Sequence, residues 1–323
     1  HLTESDMERE RIRVGNTYYP ILKTLARGRV ERLLVGDPDR SMRVPAYQVI
    51  ILPRNETSQQ QITTLRRISK SNENLPTIVR QHAHQDRCYL VTTWIDGRDL
   101  EHVLNRLRQK KDRWPSVHQS CRLARGLAHG LHHFNDLCGL VHGDIAPRNL
   151  IVTHKMRKLA LVDYGSAWAV ERTADRKEGD GHTKGYAAPE MSDPAIVPDF
   201  RVEQFSLSCV AYKMLTDQLP YDGLGGLAGT EKYQDSKIAL LPPSENAIHR
   251  KRFPRRVWAK IDAVICRGLA LSPSDRYSDT RKWLNDWDEV ILAIERPGLA
   301  DPLGIAKQAV RSLFRRAQDT QDS

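Results

Sequence analysis

The sequence lacks any uninterrupted apolar run of about 18 residues or more, so no membrane-spanning helix is predicted. It also lacks paired cysteines, because the five present are scattered and none stands in a C-x-x-C arrangement. This spacing argues against a zinc site or a disulfide framework and favours reduced thiols in a cytoplasmic protein. The first ten residues, HLTESDMERE, lack the apolar segment of a secretory signal peptide.

Charge of one sign is in excess, with 50 lysines and arginines against 40 acidic residues and a net charge of +10. Such an excess can indicate nucleic acid, an anionic membrane surface or an acidic partner. The basic residues are spread along the chain, and no nucleic-acid-binding signature accompanies them. We therefore predict no specific nucleic-acid partner.

Polar residues with a fixed spacing stand in residues 140–165, LVHGDIAPRNLIVTHKMRKLALVDYG. His142, Asp144 and Asn149 form H-x-D-x-x-x-x-N, and Asp163 opens D-Y-G directly after the strand-like run LALV. This combination suits phosphoryl transfer. One carboxylate orients the attacking hydroxyl, while an amide oxygen and a second carboxylate hold the magnesium ions that bridge the phosphates.

The same motifs, followed by GYAAPE at 185–190, occur here in the order found in protein kinases. Over about residues 17–292 the chain resembles the bacterial serine/threonine branch of that family. The resemblance implies an α+β, two-lobed protein-kinase-like fold, with a small β-rich N-lobe at about 17–93 and a larger, mainly helical C-lobe at about 94–292. Residues 1–16 are then expected to form a flexible leader, and 293–323 a basic amphipathic tail.

The function implied is transfer of the γ-phosphate of ATP, with Mg²⁺, to a serine or threonine hydroxyl of a protein substrate. In this interpretation Asp144 orients the hydroxyl, and Asn149 and Asp163 bind the metal. Arg148 stabilises the transferring phosphoryl group, because it stands just before Asn149, as in tyrosine kinases, whereas Ala146 replaces the usual lysine.

The resemblance also assigns structural roles. His142 orients the catalytic segment, Glu203 anchors it from a central helix, and Glu190 pairs with Arg276. Thr183 is placed near the catalytic aspartate. A further departure is Gly143, which replaces the arginine that receives a phosphorylated activation loop in many kinases, so activation by that route is not expected.

The nucleotide-binding residues implied by the resemblance lie mainly in the small lobe. Gly28 belongs to the phosphate loop, Thr92 is the gatekeeper before the hinge residues Thr93 and Trp94, and Asp99 contacts the ribose. The hinge backbone would hydrogen-bond the adenine edge.

The phosphate clamp departs from the family. The lysine position falls on Gln48 or Ile51, and its glutamate partner's position falls on Gln61. Glu31 takes the place of the third loop glycine, where a carboxylate would repel phosphate oxygens. A kinase would need another cation here, and Arg29 and Arg32 are the best placed because they flank the loop.

These departures leave a second interpretation open, a catalytically impaired pseudokinase that acts as a nucleotide-binding or scaffolding signalling module. In either case the expected partner is a protein. The tail segment GIAKQAVRSLFRRA separates apolar from basic positions. It is predicted to dock on the domain, to lie on a membrane surface, or to link to a further domain.

Overall fold

The computed structural model describes residues 11–28, 30–40, 44–67, 76–153, 156–169, 182–193, 195–236 and 238–297. The strands are β1 (Arg11–Val14), β2 (Thr17–Ala26), β3 (Glu31–Gly36), β4 (Pro45–Pro53), β5 (Ile78–His84), β6 (Arg87–Thr93), β7 (Gly97–Asp99), β8 (Leu140–Val141), β9 (Leu150–Thr153), β10 (Leu159–Leu161) and β11 (Trp168–Ala169). The α-helices are α1 (Glu56–Arg66), α2 (Leu100–Arg108), α3 (Val117–His132), α4 (Arg201–Thr216), α5 (Pro243–Asn246), α6 (Arg255–Gly268) and α7 (Thr280–Glu295).

The first part of the chain forms a six-stranded antiparallel sheet in the order β1-β2-β3-β4-β6-β5. Because side chains alternate along a strand, the sheet has two distinct faces. One face carries Leu33, Val49 and Val91, which form a small core within the sheet. The other face carries Leu52 and Leu90, which join the large core that continues into the helices. The second face therefore looks toward the rest of the protein.

The predicted leader was placed too far into the chain. Residues 11–14, assigned to it, form β1, which pairs with β2 from Arg11 opposite Pro20 to Val14 opposite Thr17. Val14 is fully buried in the core of the sheet. The pairing with β2 and the burial of Val14 keep this segment ordered, although its sequence is charged. Residues 293–295, assigned to the predicted tail, instead complete helix α7, in which Ala293 and Ile294 are buried. Residues 1–10 and 298–323 lie outside the described residues.

The helical part is built around α4, in which every residue except Arg201 and Lys213 is buried. Helix α3 packs against it through an apolar face, and its first turn is closed by a capping box between Ser116 and Gln119. Helix α3 ends at His132, and a π-helical turn, His133–Leu137, follows it. Among the described residues, no helix has the length and apolar content needed to span a membrane.

Two small sheets lie between these parts and position the site. Strands β10, β9 and β7 form one, and β11 pairs with β8 in the other. The six-stranded sheet and the larger helical part confirm the predicted two-lobed α+β fold. None of the five cysteines forms a disulfide, and all but Cys266 are buried.

Candidate active site

Asp144 follows the short strand β8 and receives hydrogen bonds on both carboxylate oxygens. Its Oδ1 accepts from the backbone N–H of Thr183 at 2.7 Å and from the Thr183 hydroxyl at 2.6 Å. Its Oδ2 accepts from Nη2 of Arg148 at 2.9 Å and from Nδ2 of Asn149 at 2.8 Å. The predicted proximity of Thr183 to this carboxylate is therefore present in the structure.

These donors keep Asp144 ionised. Burial of the residue acts to raise the carboxyl pKa, but the hydrogen bonds from Thr183 and Arg148 outweigh it, and the pKa lies below its ordinary value. At neutral pH the group is a carboxylate, which can accept a proton or a hydrogen bond from a hydroxyl.

His142 fixes the backbone on which Asp144 stands. Its Nδ1 accepts from the Asp144 backbone N–H at 3.3 Å, so the proton of the neutral ring is on Nε2, which donates to the Val162 carbonyl at 3.3 Å. Burial lowers the pKa of His142 and keeps the ring neutral. Tyr164 packs edge-on against the ring, with centroids 5.5 Å apart. The imidazole thus connects the loop of Asp144 to the segment that carries Asp163.

Glu203 holds the same loop from helix α4. Its Oε1 accepts the backbone N–H groups of His142 and Gly143, and its Oε2 is buried without a hydrogen-bond partner in the described structure. Burial raises the pKa of Glu203 to about 7, although the two backbone hydrogen bonds act against the shift. The anchoring position predicted for this residue is the one it occupies.

Asn149 and Asp163 lie at the same end of the β9–β10 hairpin. Leu150 pairs with Leu161, and one residue beyond this pair the N–H of Val162 donates to the Asn149 carbonyl at 2.9 Å. Nδ2 of Asn149 donates hydrogen bonds to the backbone carbonyl and to Oδ2 of Asp144. The Oδ1 atom of Asn149 is the acceptor that remains on this side chain. The hairpin register thus brings an amide oxygen and a carboxylate to one edge.

This donor set fits a magnesium ion held together with phosphates. Mg²⁺ prefers oxygen ligands, is commonly bound by one or two protein side chains, and takes its remaining ligands from phosphates and water. The described residues contain no cluster of three or more histidine, cysteine or acidic side chains that would enclose a metal on protein ligands alone. Asn149 Oδ1 and the Asp163 carboxylate are the residues that would hold it.

Asp163 has an unusual backbone and a cationic neighbour. Its φ of +64° lies in the left-handed region, which non-glycine residues rarely adopt and which is common at functional sites. Its Oδ1 accepts a hydrogen bond at 3.0 Å from Nη2 of Arg32, on strand β3. The small lobe therefore contacts the predicted metal ligand directly.

The sheet register decides between the two candidates for the lysine position. Gln48 lies opposite Thr92, and Ile50 opposite Leu90, on the face that joins the large core. Ile51 lies on the other face, in the core within the sheet. Gln48 therefore lies beside the predicted gatekeeper Thr92 on the face toward the large core, which favours Gln48 over Ile51 for the lysine position.

The position of Glu31 corrects the sequence interpretation. It belongs to strand β3, on the face opposite that of Arg32, and its carboxylate is 4.0 Å from the guanidinium of Arg87. The expected repulsion of phosphate by Glu31 is therefore wrong, because the strand alternation points this side chain away from the Asp163 side and Arg32 toward it. Gly28, in the preceding turn, has a φ of +146° and open space around it, so a glycine suits this backbone.

The predicted hinge residues Thr93 and Trp94 already use their backbone N–H groups in hydrogen bonds within the small lobe. The N–H of Thr93 donates to the Thr77 carbonyl at 2.9 Å, and the N–H of Trp94 donates to the Ala46 carbonyl at 3.0 Å. These two amides are thus not available to an adenine edge without breaking the sheet, although their carbonyls could still accept. Asp99 caps helix α2 through a 2.7 Å bond from the N–H of His102 to its Oδ1. Its ribose contact remains a prediction.

Glu190 and Arg276 form a buried ion pair, with side chains 2% and 0% exposed. The guanidinium bonds both carboxylate oxygens and also donates to the carbonyls of Ala270, Arg201 and Leu271. The pair expected from the sequence is present, and it ties residues 189–192 to the helical part.

The sequence interpretation missed Trp168, which pairs with Val141 in the β11–β8 ladder and lies against Gly143. The available signal was Gly143 itself, since a glycine in place of an arginine leaves room for a neighbour. Two predicted positions are not compared with the structure, because Arg29 and the side chain of Gln61 lie outside its described part.

Comparison with known proteins identifies a family for this chain. A family model described as the protein kinase domain matches residues 43–287. The serine/threonine-protein kinase cds1 of Schizosaccharomyces pombe is 26% identical over 302 residues, which cover 87% of this chain and 61% of the yeast protein. The serine/threonine-protein kinase PknB of Mycolicibacterium smegmatis is 27% identical over 195 residues, 58% of this chain and 28% of the mycobacterial protein.

A solved structure has the same fold. The crystal structure of the Mycobacterium tuberculosis PknI kinase domain aligns with a TM-score of 0.55 and 18% sequence identity, covering 84% of this chain and 95% of that one. The fold and site define a protein kinase domain, and the chain belongs to that family. Such domains use ATP with a divalent metal and act on proteins. The chain spans only part of the curated relatives, from 28% to 61% of the two described above.

Proposed function

We propose that this chain is an active protein kinase that transfers the γ-phosphate of ATP to serine or threonine hydroxyls, with Mg²⁺ as the metal. The observation that carries the proposal is the environment of Asp144, an ionised carboxylate whose Oδ1 accepts a threonine hydroxyl at 2.6 Å. A substrate hydroxyl can take that position when Thr183 moves aside, because the distance is that of a normal O–H···O hydrogen bond.

The other residues of the site have separate proposed roles. Asn149 and Asp163 supply oxygens from one edge of the hairpin and would hold a metal there, which would neutralise phosphate charge. Arg148 is half exposed and donates to Asp144, so its guanidinium can turn toward a transferring phosphoryl group without leaving the site. Gln48, Thr92 and the carbonyls of the hinge line the side where the nucleotide is expected.

The further assignments remain part of the proposal. The N–H of Ile95, which follows the two engaged hinge amides, is the amide we assign to the adenine edge, and Asp99 is assigned to the ribose. The protein substrate is unspecified, and a cytoplasmic location and membrane contact through the tail stay predictions from the sequence.

The test is transfer of radiolabelled phosphate from ATP to a general protein acceptor and to the chain itself, followed by phosphoamino-acid analysis. Phosphoserine or phosphothreonine is expected from the wild type, and Asp144→Asn should abolish it because the base is lost. Asp112→Asn, which alters an exposed ion pair with Arg106, is the matched control and should retain activity. A wild type that binds ATP but transfers no phosphate would favour the pseudokinase interpretation.

A further inference from the structure

Arg32 stands where the site needs a cation. The residue beside the gatekeeper that faces the interior, Gln48, is neutral, and triphosphate binding without a nearby positive charge is unfavourable. We propose that Arg32 supplies this charge, and that its guanidinium exchanges Asp163 for a phosphate oxygen when ATP binds with the metal. The inference rests on the proposed function and names a residue for phosphate binding at that site.

The sheet register places Arg32 on the required face. Arg32 lies opposite Ile50 on the neighbouring strand β4, and Leu34 lies opposite Gln48. Arg32 and Gln48 are therefore diagonal neighbours on one face, a separation of about 7–8 Å that a long side chain spans. A guanidinium from β3 can reach the space that a lysine at position 48 would occupy.

The contact with Asp163 shows where the guanidinium of Arg32 lies. Nη2 of Arg32 is 3.0 Å from Oδ1 of Asp163, the carboxylate that would hold the metal. Asp163 would hold the metal together with the phosphates, so a group in contact with this carboxylate would also lie near phosphate oxygens. Exchange of one oxygen acceptor for another keeps the guanidinium hydrogen-bonded throughout.

The chemistry of the pair favours exchange over a permanent structural role. The two side chains are 30% and 39% exposed, and ion pairs with such exposure contribute little to stability. A guanidinium presents several donors in a plane, which suits the oxygens of a phosphate. The pair is therefore well placed to open for a ligand at small cost to the fold.

The other described cations of this region are less suitable. Lys23 and Arg27 are exposed, and Arg54 donates to the Gln85 carbonyl at the end of its strand. Arg87 lies on the opposite face of the sheet beside Glu31. Arg32 differs from these cations because its guanidinium contacts the Asp163 carboxylate at 3.0 Å.

The test measures binding of ATP, and separately of adenosine, to the full chain by isothermal titration calorimetry with magnesium chloride present. Arg32→Ala should weaken ATP by about tenfold or more, because a charge-assisted phosphate contact is lost, and should change adenosine by less than about twofold. Arg87→Ala removes an arginine from the other face and should change neither. Thermal unfolding monitored by circular dichroism verifies that each variant is folded.

A rescue variant tests the geometry. Gln48→Lys introduced into Arg32→Ala should return ATP affinity to within about threefold of wild type, because the new ammonium group enters the same space. An equal loss for ATP and adenosine, no loss at all, or a loss that Gln48→Lys leaves unchanged would each overturn the assignment of Arg32. Failure of the wild type itself to bind ATP would instead overturn the proposed function.

Discussion

The indole of Trp168 lies directly over the backbone of Gly143. A Cβ added to Gly143 would stand 2.1 Å from Cζ3 of Trp168, and the φ of Gly143 is +77°. Two independent restraints, a left-handed backbone and an adjacent ring, therefore require glycine at this position. The arginine that receives an activation-loop phosphate in many kinases has no space here, which agrees with the expectation that this chain is not activated in that way.

This relationship predicts a coupling between the two residues. Gly143→Ala should destabilise the protein by about 2 kcal/mol or more, since it combines backbone strain with the ring contact. In a Trp168→Ala background the same substitution should cost less, because only the backbone strain remains. Urea unfolding of the four proteins measures the difference. Equal losses in both backgrounds would contradict the contact.

The buried ion pair predicts a large stability effect at a distance from the chemistry. Arg276→Ala should lower the free energy of unfolding by about 3–5 kcal/mol, because it leaves the Glu190 carboxylate buried and unpaired. Lys260→Ala, which removes an exposed ion pair with Glu289, serves as the control and should cost about 1 kcal/mol or less. Similar unfolding midpoints for the two variants would show that the buried pair is not required.

Glu203 predicts a pH dependence of stability. Its pKa is ordinarily 4.5 and rises to about 7 in the folded protein, so between these values the folded state binds more protons than the unfolded state. The contribution of Glu203 to the free energy of unfolding is complete below pH 4.5 and is lost as the pH rises through about 7. The loss is roughly 3 kcal/mol.

The measurement for Glu203 is urea unfolding of the wild type and Glu203→Gln at several pH values. The stability of the wild type relative to the variant should fall as the pH increases over this range, because glutamine does not titrate. Glu289→Gln, at an exposed position, should run parallel to the wild type. A constant difference between wild type and Glu203→Gln at every pH would contradict the raised pKa.

Asp163 predicts separate effects on ligand binding and on folding. Asp163→Asn removes the carboxylate charge but suits the same backbone, because asparagine tolerates the left-handed region. The unfolding temperature without ligand should change little, whereas the additional stabilisation by ATP that depends on magnesium should disappear. Differential scanning fluorimetry with ATP, in magnesium chloride and in EDTA, measures both quantities. Retention of the magnesium-dependent increase would argue against Asp163 as a metal ligand.

The sequence by itself determined the family and the order of the proposed catalytic groups. Asp144, Asn149 and Asp163 are separated by spacings that depend on local chain geometry, a loop followed by a short hairpin, and local geometry is what sequence motifs encode. The same applies to Glu190 and Arg276, whose motifs predicted a pair that the structure contains.

Tertiary structure decided which side chains of the small lobe enter the site. A shift of one residue in strand register moves a side chain to the other face, so the sequence could not choose between Gln48 and Ile51 or see that Glu31 turns away while Arg32 turns in. The ring of Trp168 over Gly143 depends on the pairing of two strands that are 27 residues apart in sequence at that point. Such contacts between distant segments arise from packing, and only the folded chain specifies them.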